Sequence, residues 1–226
     1  MSGGKDQGTA VAVLVSGGVE SAAMLKEALK RYERVYPIYI RKDLQWEVAE
    51  LVSLRKLLRV MESDGLAPLT VLNMPLSPIY GRHWSLGKSG TPNFKAPDDA
   101  VYLPGRNVLL LSLGGLFCSV RKIPNLWIGI LKGNPFRDAQ AGFIKQMESL
   151  LTEALAFPLR IAVPLGEWTK AEVLNRWADV PWDKTFSCLR PVNRRHCGRC
   201  QKCAERKAGF KSAGIPDPTR YGRRPL

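Results

Sequence analysis

Residues 11 to 25 read V-A-V-L-V-S-G-G-V-E-S-A-A-M-L: an apolar strand, two glycines, and the opening of a helix. A strand that turns so tightly into a helix implies an open parallel sheet, in which ligands bind beyond the carboxyl ends of the strands and the first turn is the usual phosphate site. Gly17 and Gly18 permit torsions closed to other residues and let backbone amides approach an anion. Ser16 and Ser21 add hydroxyl donors, and Val19 continues the turn into the helix. The turn is neither G-x-G-x-x-G nor G-x-x-x-x-G-K-[ST], so a dinucleotide loop and a Walker loop are both excluded here. Glu20 has two readings. It can face the positive end of the helix dipole, or it can sit beside a polyphosphate with a cation such as Mg²⁺ between them. Ser2, Gly3 and Gly4 repeat the spelling of Ser16, Gly17 and Gly18, but no strand precedes them.

Outward from this turn, short apolar runs alternate with longer stretches of helical period. Strands are predicted at residues 11–15, 35–40, 69–72, 126–131 and 160–164, and helices at 20–32, 44–62, 107–121, 139–156 and 169–178. Most of the strand runs read as continuous Val, Ile and Leu rather than as alternation, which suits strands covered on both faces. The alternation predicts an α/β fold, a doubly wound, mostly parallel five-stranded sheet over residues 1–183, with a small carboxyl-terminal zinc-binding helical module at 184–226. Residues 75–104, rich in Gly, Pro, Ser and Trp, are too long for an ordinary connection and predict a lid or a binding loop.

The 226 residues, 45% of them hydrophobic, suffice for one sizeable core and an appendage. No apolar run approaches the roughly 20 residues of a membrane span, and the polar start lacks the apolar stretch of a signal peptide, so a cytoplasmic protein is the expectation. The formal charge of +14 is uneven: from Lys184 onward there are twelve Lys and Arg against Glu205 and Asp217. A tail of that kind attracts polyanions, or it simply solvates the surface.

Five cysteines, four of them in F-S-C-L-R-P-V-N-R-R-H-C-G-R-C-Q-K-C, point to metal chemistry rather than disulfides. Cys197, Cys200 and Cys203 form two overlapping C-x-x-C steps and Cys188 arrives from a loop, a set suited to closed, structural Zn²⁺. An iron–sulfur cluster uses similar spacing. His196 is expected either to replace one sulfur or to lie in solvent or against phosphate. Cys118, in an apolar helix, reads as a small core residue.

S-G-G-V-E-S after an apolar strand resembles the S-G-G-x-D-S pyrophosphate loop of the N-type ATP pyrophosphatases, with Glu20 for the usual aspartate. Adding H-C-G-R-C-x-K-C-x-E-R near the carboxyl end, Y-L-P-G-R-N at 102–107 and T-K-A-E-V at 169–173, nearly the whole chain is similar to the 7-cyano-7-deazaguanine synthase family of the queuosine pathway. The resemblance implies an adenine nucleotide alpha hydrolase-like fold, ATP, Mg²⁺ and Zn²⁺, and a homodimer. It implies a ligase that adenylates 7-carboxy-7-deazaguanine, releases pyrophosphate and AMP, and uses ammonia to form an amide and then a nitrile. Its catalytic set here is Ser16, Glu20, Arg106 and Lys170. Its nucleotide-binding set is Ser16, Gly17, Gly18, Val19, Glu20, Ser21, Ile40 and Asn107. Arg106 and Asp138 are the substrate candidates. Arg195 and Arg199 are expected to face the phosphates.

The chain departs from the family at G-N-P-F-R-D-A-Q-A-G-F, residues 133–143, where the family's cysteine and tyrosine have no match; Asp138 there either reads a purine-like edge or caps the helix expected at Ala139. That departure and the basic tail keep open a related enzyme that passes the adenylate to an amine on a protein or nucleic acid. A non-catalytic basic zinc module binding nucleic acid is a further alternative, although after Cys188 only Phe210 and Tyr221 are available to stack on bases.

Overall fold

The computed structural model describes residues 9–87 and 90–222, so Ser2, Gly3 and Gly4 lie outside the described residues. Five strands, β1 (Ala10–Leu14), β2 (Arg34–Arg41), β3 (Thr70–Asn73), β4 (Asn125–Trp127) and β5 (Arg160–Ala162), form one sheet in the order β3-β2-β1-β4-β5. Every pairing is parallel. Helices α1 (Val19–Arg31), α2 (Glu47–Val60), α3 (Ser77–Tyr80), α4 (Arg106–Arg121), α5 (Ala141–Ala154), α6 (Lys170–Arg176) and α7 (Gln201–Ser212) surround it.

The continuous apolar strands are explained by two covered faces. Val11 and Val13 of β1 pack with α1, Leu54 of α2 and Val173 of α6. Ala12 and Leu14, on the opposite face, pack with Leu110 and Leu111 of α4 and Ile144 and Met147 of α5. The chain winds outward from β1 to β2 and β3, then restarts from β4 on the other side of β1. The carboxyl ends of β1 and β4 therefore flank the reversal point where such sheets open a crevice. The first core continues into Phe210 of α7, so the carboxyl-terminal helix shares the sheet's own packing.

Several boundaries differ from the sequence expectation, each for a local reason. β4 stops at Trp127 instead of Leu131, and a side chain at Gly129 would meet Met24 Cε at 2.9 Å and Glu20 Cβ at 3.3 Å. The chain thus crosses directly over the start of α1, which only glycine permits. β5 ends before Pro164, which has no N–H for a ladder. α2 begins at Glu47 rather than Leu44, behind a turn in which Asp43 has φ +62°. α5 begins at Ala141 rather than Ala139, because residues 137–139 form a separate 3₁₀ turn. α6 starts at Lys170 behind a Thr169–Glu172 capping box. α7, rich in charge and cysteine, has no place among the helices expected from apolar period.

The long 75–104 segment is held down along its length. Trp84 stacks on Trp46 with ring centroids 5.8 Å apart, and Gln45 donates to the Trp84 carbonyl and the Thr91 hydroxyl. Asn93 bridges to Cys200, and Gln201 donates to Asp98 at 2.5 Å.

Candidate functional site

Between β1 and α1 the chain turns at Gly17, φ +79°, a conformation that strains any residue with a Cβ. A Cβ there would also press Leu54 Cβ at 3.2 Å. Ser21 Oγ accepts from the Ser16 backbone N–H at 2.9 Å, and the two serine hydroxyls lie 3.2 Å apart. Ser16 Oγ accepts from the Gly18 N–H at 3.4 Å. Phe186 closes the far side by donating its N–H to the Gly17 carbonyl at 2.7 Å. The turn is thus a fixed cup at the amino end of α1, lined by small side chains and amides.

Glu20 folds back over this cup. Its Oε1 lies 3.0 Å from Lys170 Nζ, and Lys170 also binds Glu205, which in turn pairs with Lys202. Burial is the largest influence on Glu20 and works against its ionisation, but the Lys170 charge, together with hydrogen bonds from Lys170 and from the backbone N–H of Glu20, holds the carboxyl below its ordinary value, even with Glu205 close by. For Glu205, burial is likewise overcome by Lys170 and Lys202, which bring it to about 2. The cation beside Glu20 is therefore an ammonium supplied by α6.

Arg106 and Asn107 open α4. The Asn107 N–H donates to Asp138 Oδ2 at 3.0 Å, and the Asn107 side chain donates to the Asp138 carbonyl at 2.9 Å. Asp138 thus caps α4 from across the site; its expected role as a cap of the following helix is corrected, since the residue before α5 is Gln140 and makes no side-chain cap. Arg106 is exposed beside this pair. Ile40 is 2% exposed with its side chain in the core beneath α4, which leaves its backbone as the part near the site.

The four thiols of Cys188, Cys197, Cys200 and Cys203 all lie within 4.8 Å of one another. Cys188 to Cys200 and Cys197 to Cys203 are each 3.9 Å, close to the roughly 3.8 Å edge of a tetrahedron with metal–sulfur bonds of about 2.3 Å. Backbone N–H groups of Leu189, Cys197 and Arg199 point at sulfurs at 3.4, 3.2 and 3.4 Å, as donors to thiolates do. The donor set fits a metal ion with no open position. His196 is not part of it: its Nε2 accepts from the Ser187 N–H at 3.1 Å, and burial, with Arg206 nearby, lowers its pKa to about 3. His196 is therefore neither a metal ligand nor a solvated side chain, and its ring is buried against Phe186 instead of lying open to phosphate. Arg195 and Arg199 are exposed, and Cys118 is fully buried on the inward face of α4.

The family model for "Queuosine biosynthesis protein QueC" matches residues 9–214. The chain belongs to the QueC family. A 7-cyano-7-deazaguanine synthase of Anaeromyxobacter sp. (strain Fw109-5) is 32% identical, aligned over 92% of this chain and 94% of that protein. The namesake enzyme of Persephonella marina is 29% identical over 94% and 96%. Among solved structures, a 4-thiouridine synthetase in complex with RNA and with bound ATP is 15% identical, with a TM-score of 0.47, covering 91% of this chain and 50% of that one. Among the described residues, no helix is long and apolar enough to cross a membrane.

Within this QueC chain the structure adds groups that sequence patterns did not single out. Lys42 follows β2 at the carboxyl edge of the sheet, is 7% exposed, and donates to the Ile40 carbonyl at 2.5 Å. Burial draws its pKa down to about 8 despite the nearby Glu50, and Arg106 contributes in the same direction as burial. Glu50, also buried, accepts from the Tyr39 hydroxyl at 2.7 Å. The available signal was position: a charged residue at the carboxyl end of a parallel strand lies at the crevice.

A pH-dependent stability follows. An unfolded lysine keeps its proton to about pH 10.4, whereas the folded Lys42 loses it near 8. Between these values the unfolded state binds more protons, so Lys42 makes stability rise with pH across that window. Lys42→Met is expected to stabilise the protein at pH 7 by up to about 3 kcal/mol, with the gain fading above pH 8 and gone near pH 10.5. Denaturant unfolding at the two extremes checks this, and an equal effect at both would refute a buried charge.

Proposed function

We propose that this protein is an ATP-dependent carbon–nitrogen ligase with 7-cyano-7-deazaguanine synthase chemistry, acting on 7-carboxy-7-deazaguanine or a close analogue. The observation that carries the reading is the cup at Ser16–Ser21, set at the reversal of a parallel sheet and faced by Lys170. In the first step a carboxylate oxygen of the acceptor attacks the α-phosphorus of ATP, and the bond to pyrophosphate breaks. The Gly18 amide, the serine hydroxyls and Lys170 stabilise charge that builds on the leaving group, which is electrostatic catalysis without a protein nucleophile. Ammonia then attacks the acyl carbon, AMP leaves, and a proton is lost to give the amide. The amide oxygen attacks a second ATP, again releasing pyrophosphate. Loss of AMP and the remaining N–H protons leaves the nitrile.

Lys42 and Arg106 supply positive charge for the acceptor carboxylate, with Asp138 and Asn107 fixing the start of α4 beside it. Mg²⁺, bound together with ATP, would add positive charge at the phosphates, and Glu20, alongside its pairing with Lys170, is the carboxylate that would hold it. Zn²⁺ would be held by Cys188, Cys197, Cys200 and Cys203, where it clamps residues 184–226 as a module on the sheet of residues 1–183.

The test is to incubate the protein with ATP, Mg²⁺ and 7-carboxy-7-deazaguanine, with and without ammonium. The nitrile, with sustained release of AMP and pyrophosphate, is expected only in the complete mixture; without ammonium, pyrophosphate release should stop after a single turnover. Absence of all three products rejects the reading. AMP that appears only when a protein or tRNA fraction is added would instead support transfer of the adenylate to an amine, which the basic tail favours.

A further inference from the structure

α7 begins directly after Cys200 and carries Cys203, so the cysteine cluster fixes its first turn. Two residues beyond Cys203, Glu205 reaches out of the cluster to Lys170 on α6, and Lys170 continues to Glu20 in the glycine turn. The helix also makes room for this lysine: a Cβ at Gly209 would meet both Lys170 Cγ and Cδ at 2.9 Å. α7 therefore offers Lys170 a carboxylate for its head and a gap for its stem. The side chain is 16% exposed, so its route is confined from α6 to the cup.

A lysine is a point charge on four rotatable bonds, and with Glu20 as its only partner it would settle on that carboxylate. Glu205 supplies a second carboxylate to the same ammonium, while Lys202 occupies the other oxygen of Glu205. Two of the three ammonium protons are then engaged, and among the described residues the third meets no acceptor.

We propose that Glu205 is a positioning residue for ATP turnover: it holds the Lys170 ammonium suspended over the glycine cup, where its free proton meets the departing pyrophosphate. The inference rests on the pyrophosphate-loop reading of Ser16–Ser21. Because charge on the leaving group builds only in the transition state, misplacing Lys170 lowers kcat and leaves ATP binding nearly intact.

The test compares Glu205→Gln with the unaltered protein, both metal-loaded. With metal content and melting temperature unchanged, kcat for pyrophosphate release is expected to fall at least about tenfold, while KM for ATP shifts less than about twofold. Glu205→Asp should recover part of the loss, and Gly209→Ala, whose methyl displaces the lysine stem, should reproduce the split. A second readout needs no turnover: without ATP, acylation of Lys170 followed by peptide mass spectrometry should speed up several-fold in Glu205→Gln, as an ammonium with one carboxylate fewer gives up its proton more readily. Unchanged kcat with unchanged acylation overturns the proposal. Loss of activity in step with metal loss or melting also overturns it, making Glu205 a folding residue only. Failure of the ATP reading itself shows earlier and separately, as an unaltered protein that releases no pyrophosphate.

Discussion

Cys200→Ser is expected to abolish metal binding by the four-thiol cluster and, with it, to unfold the segment that the cluster gathers. The variant should contain less than about a tenth of the roughly one metal ion per chain of the unaltered protein, melt at least about 10 °C lower, and aggregate on expression. Cys200 is the residue through which several contacts pass. Its sulfur lies 3.9 Å from that of Cys188 and accepts from the Leu189 N–H, its backbone opens α7, and its neighbour Gln201 is tied to Pro92 and Asp98. The three remaining sulfurs, left without a cation, take up protons and no longer cross-link the loop of Cys188 to α7, so the damage exceeds the loss of a single ligand. Metal analysis and calorimetry on the purified variant check the outcome. A Cys200→Ser protein that melts normally without metal would show that apolar packing of Cys188, Cys203 and Leu189 holds the module alone.

Gly17→Val is expected to lower kcat/KM for ATP by at least about a hundredfold, a loss of roughly 3 kcal/mol of transition-state stabilisation. Two independent costs meet at this position. At φ +79° a β-branched residue is strained, and the added Cβ presses Leu54 Cβ at 3.2 Å in a core without slack. The chain relieves both by flattening the turn, which draws the Gly18 amide and the Ser16 hydroxyl out of the cup. Because the Gly17 carbonyl also accepts from Phe186, the shift reaches the segment leading to Cys188. Steady-state pyrophosphate release together with equilibrium binding of ATP checks this. A variant that keeps its ATP affinity within about threefold would show that the turn is not where the phosphates sit.

Local features of the sequence were good guides wherever neighbouring residues decide the structure. The strand–glycine–helix turn is read from six consecutive residues, because forbidden torsions and missing side chains are local facts. The two-faced sheet follows from unbroken apolar runs, since each strand residue must be covered on one side or the other. C-x-x-C spacing places three thiols on one turn and the start of one helix. The misreadings came from longer range. Of the two readings of Asp138, a purine-reading group or a cap on the helix beside it, the second fails because its carboxylate reaches 31 positions back to Asn107. β4 was drawn too long because nothing in W-I-G-I-L announces that α1 passes within contact of Gly129. α7 carried no apolar stripe, because cysteines and Phe210 supply its inward face.

From the sequence alone came the membership of a parallel α/β class, the strand–glycine–helix turn and the four cysteines that gather at one point, all properties of short segments or of periodicity. Only the tertiary structure decided that Glu20, Lys170 and Glu205 form one chain of charges, that Lys42 is buried beside Arg106, and that His196 stands apart from the thiols. The reason is physical: the energy of an ion pair or a buried charge depends on distance and solvent exclusion, and for residues 150 positions apart both are set by the packing of the sheet.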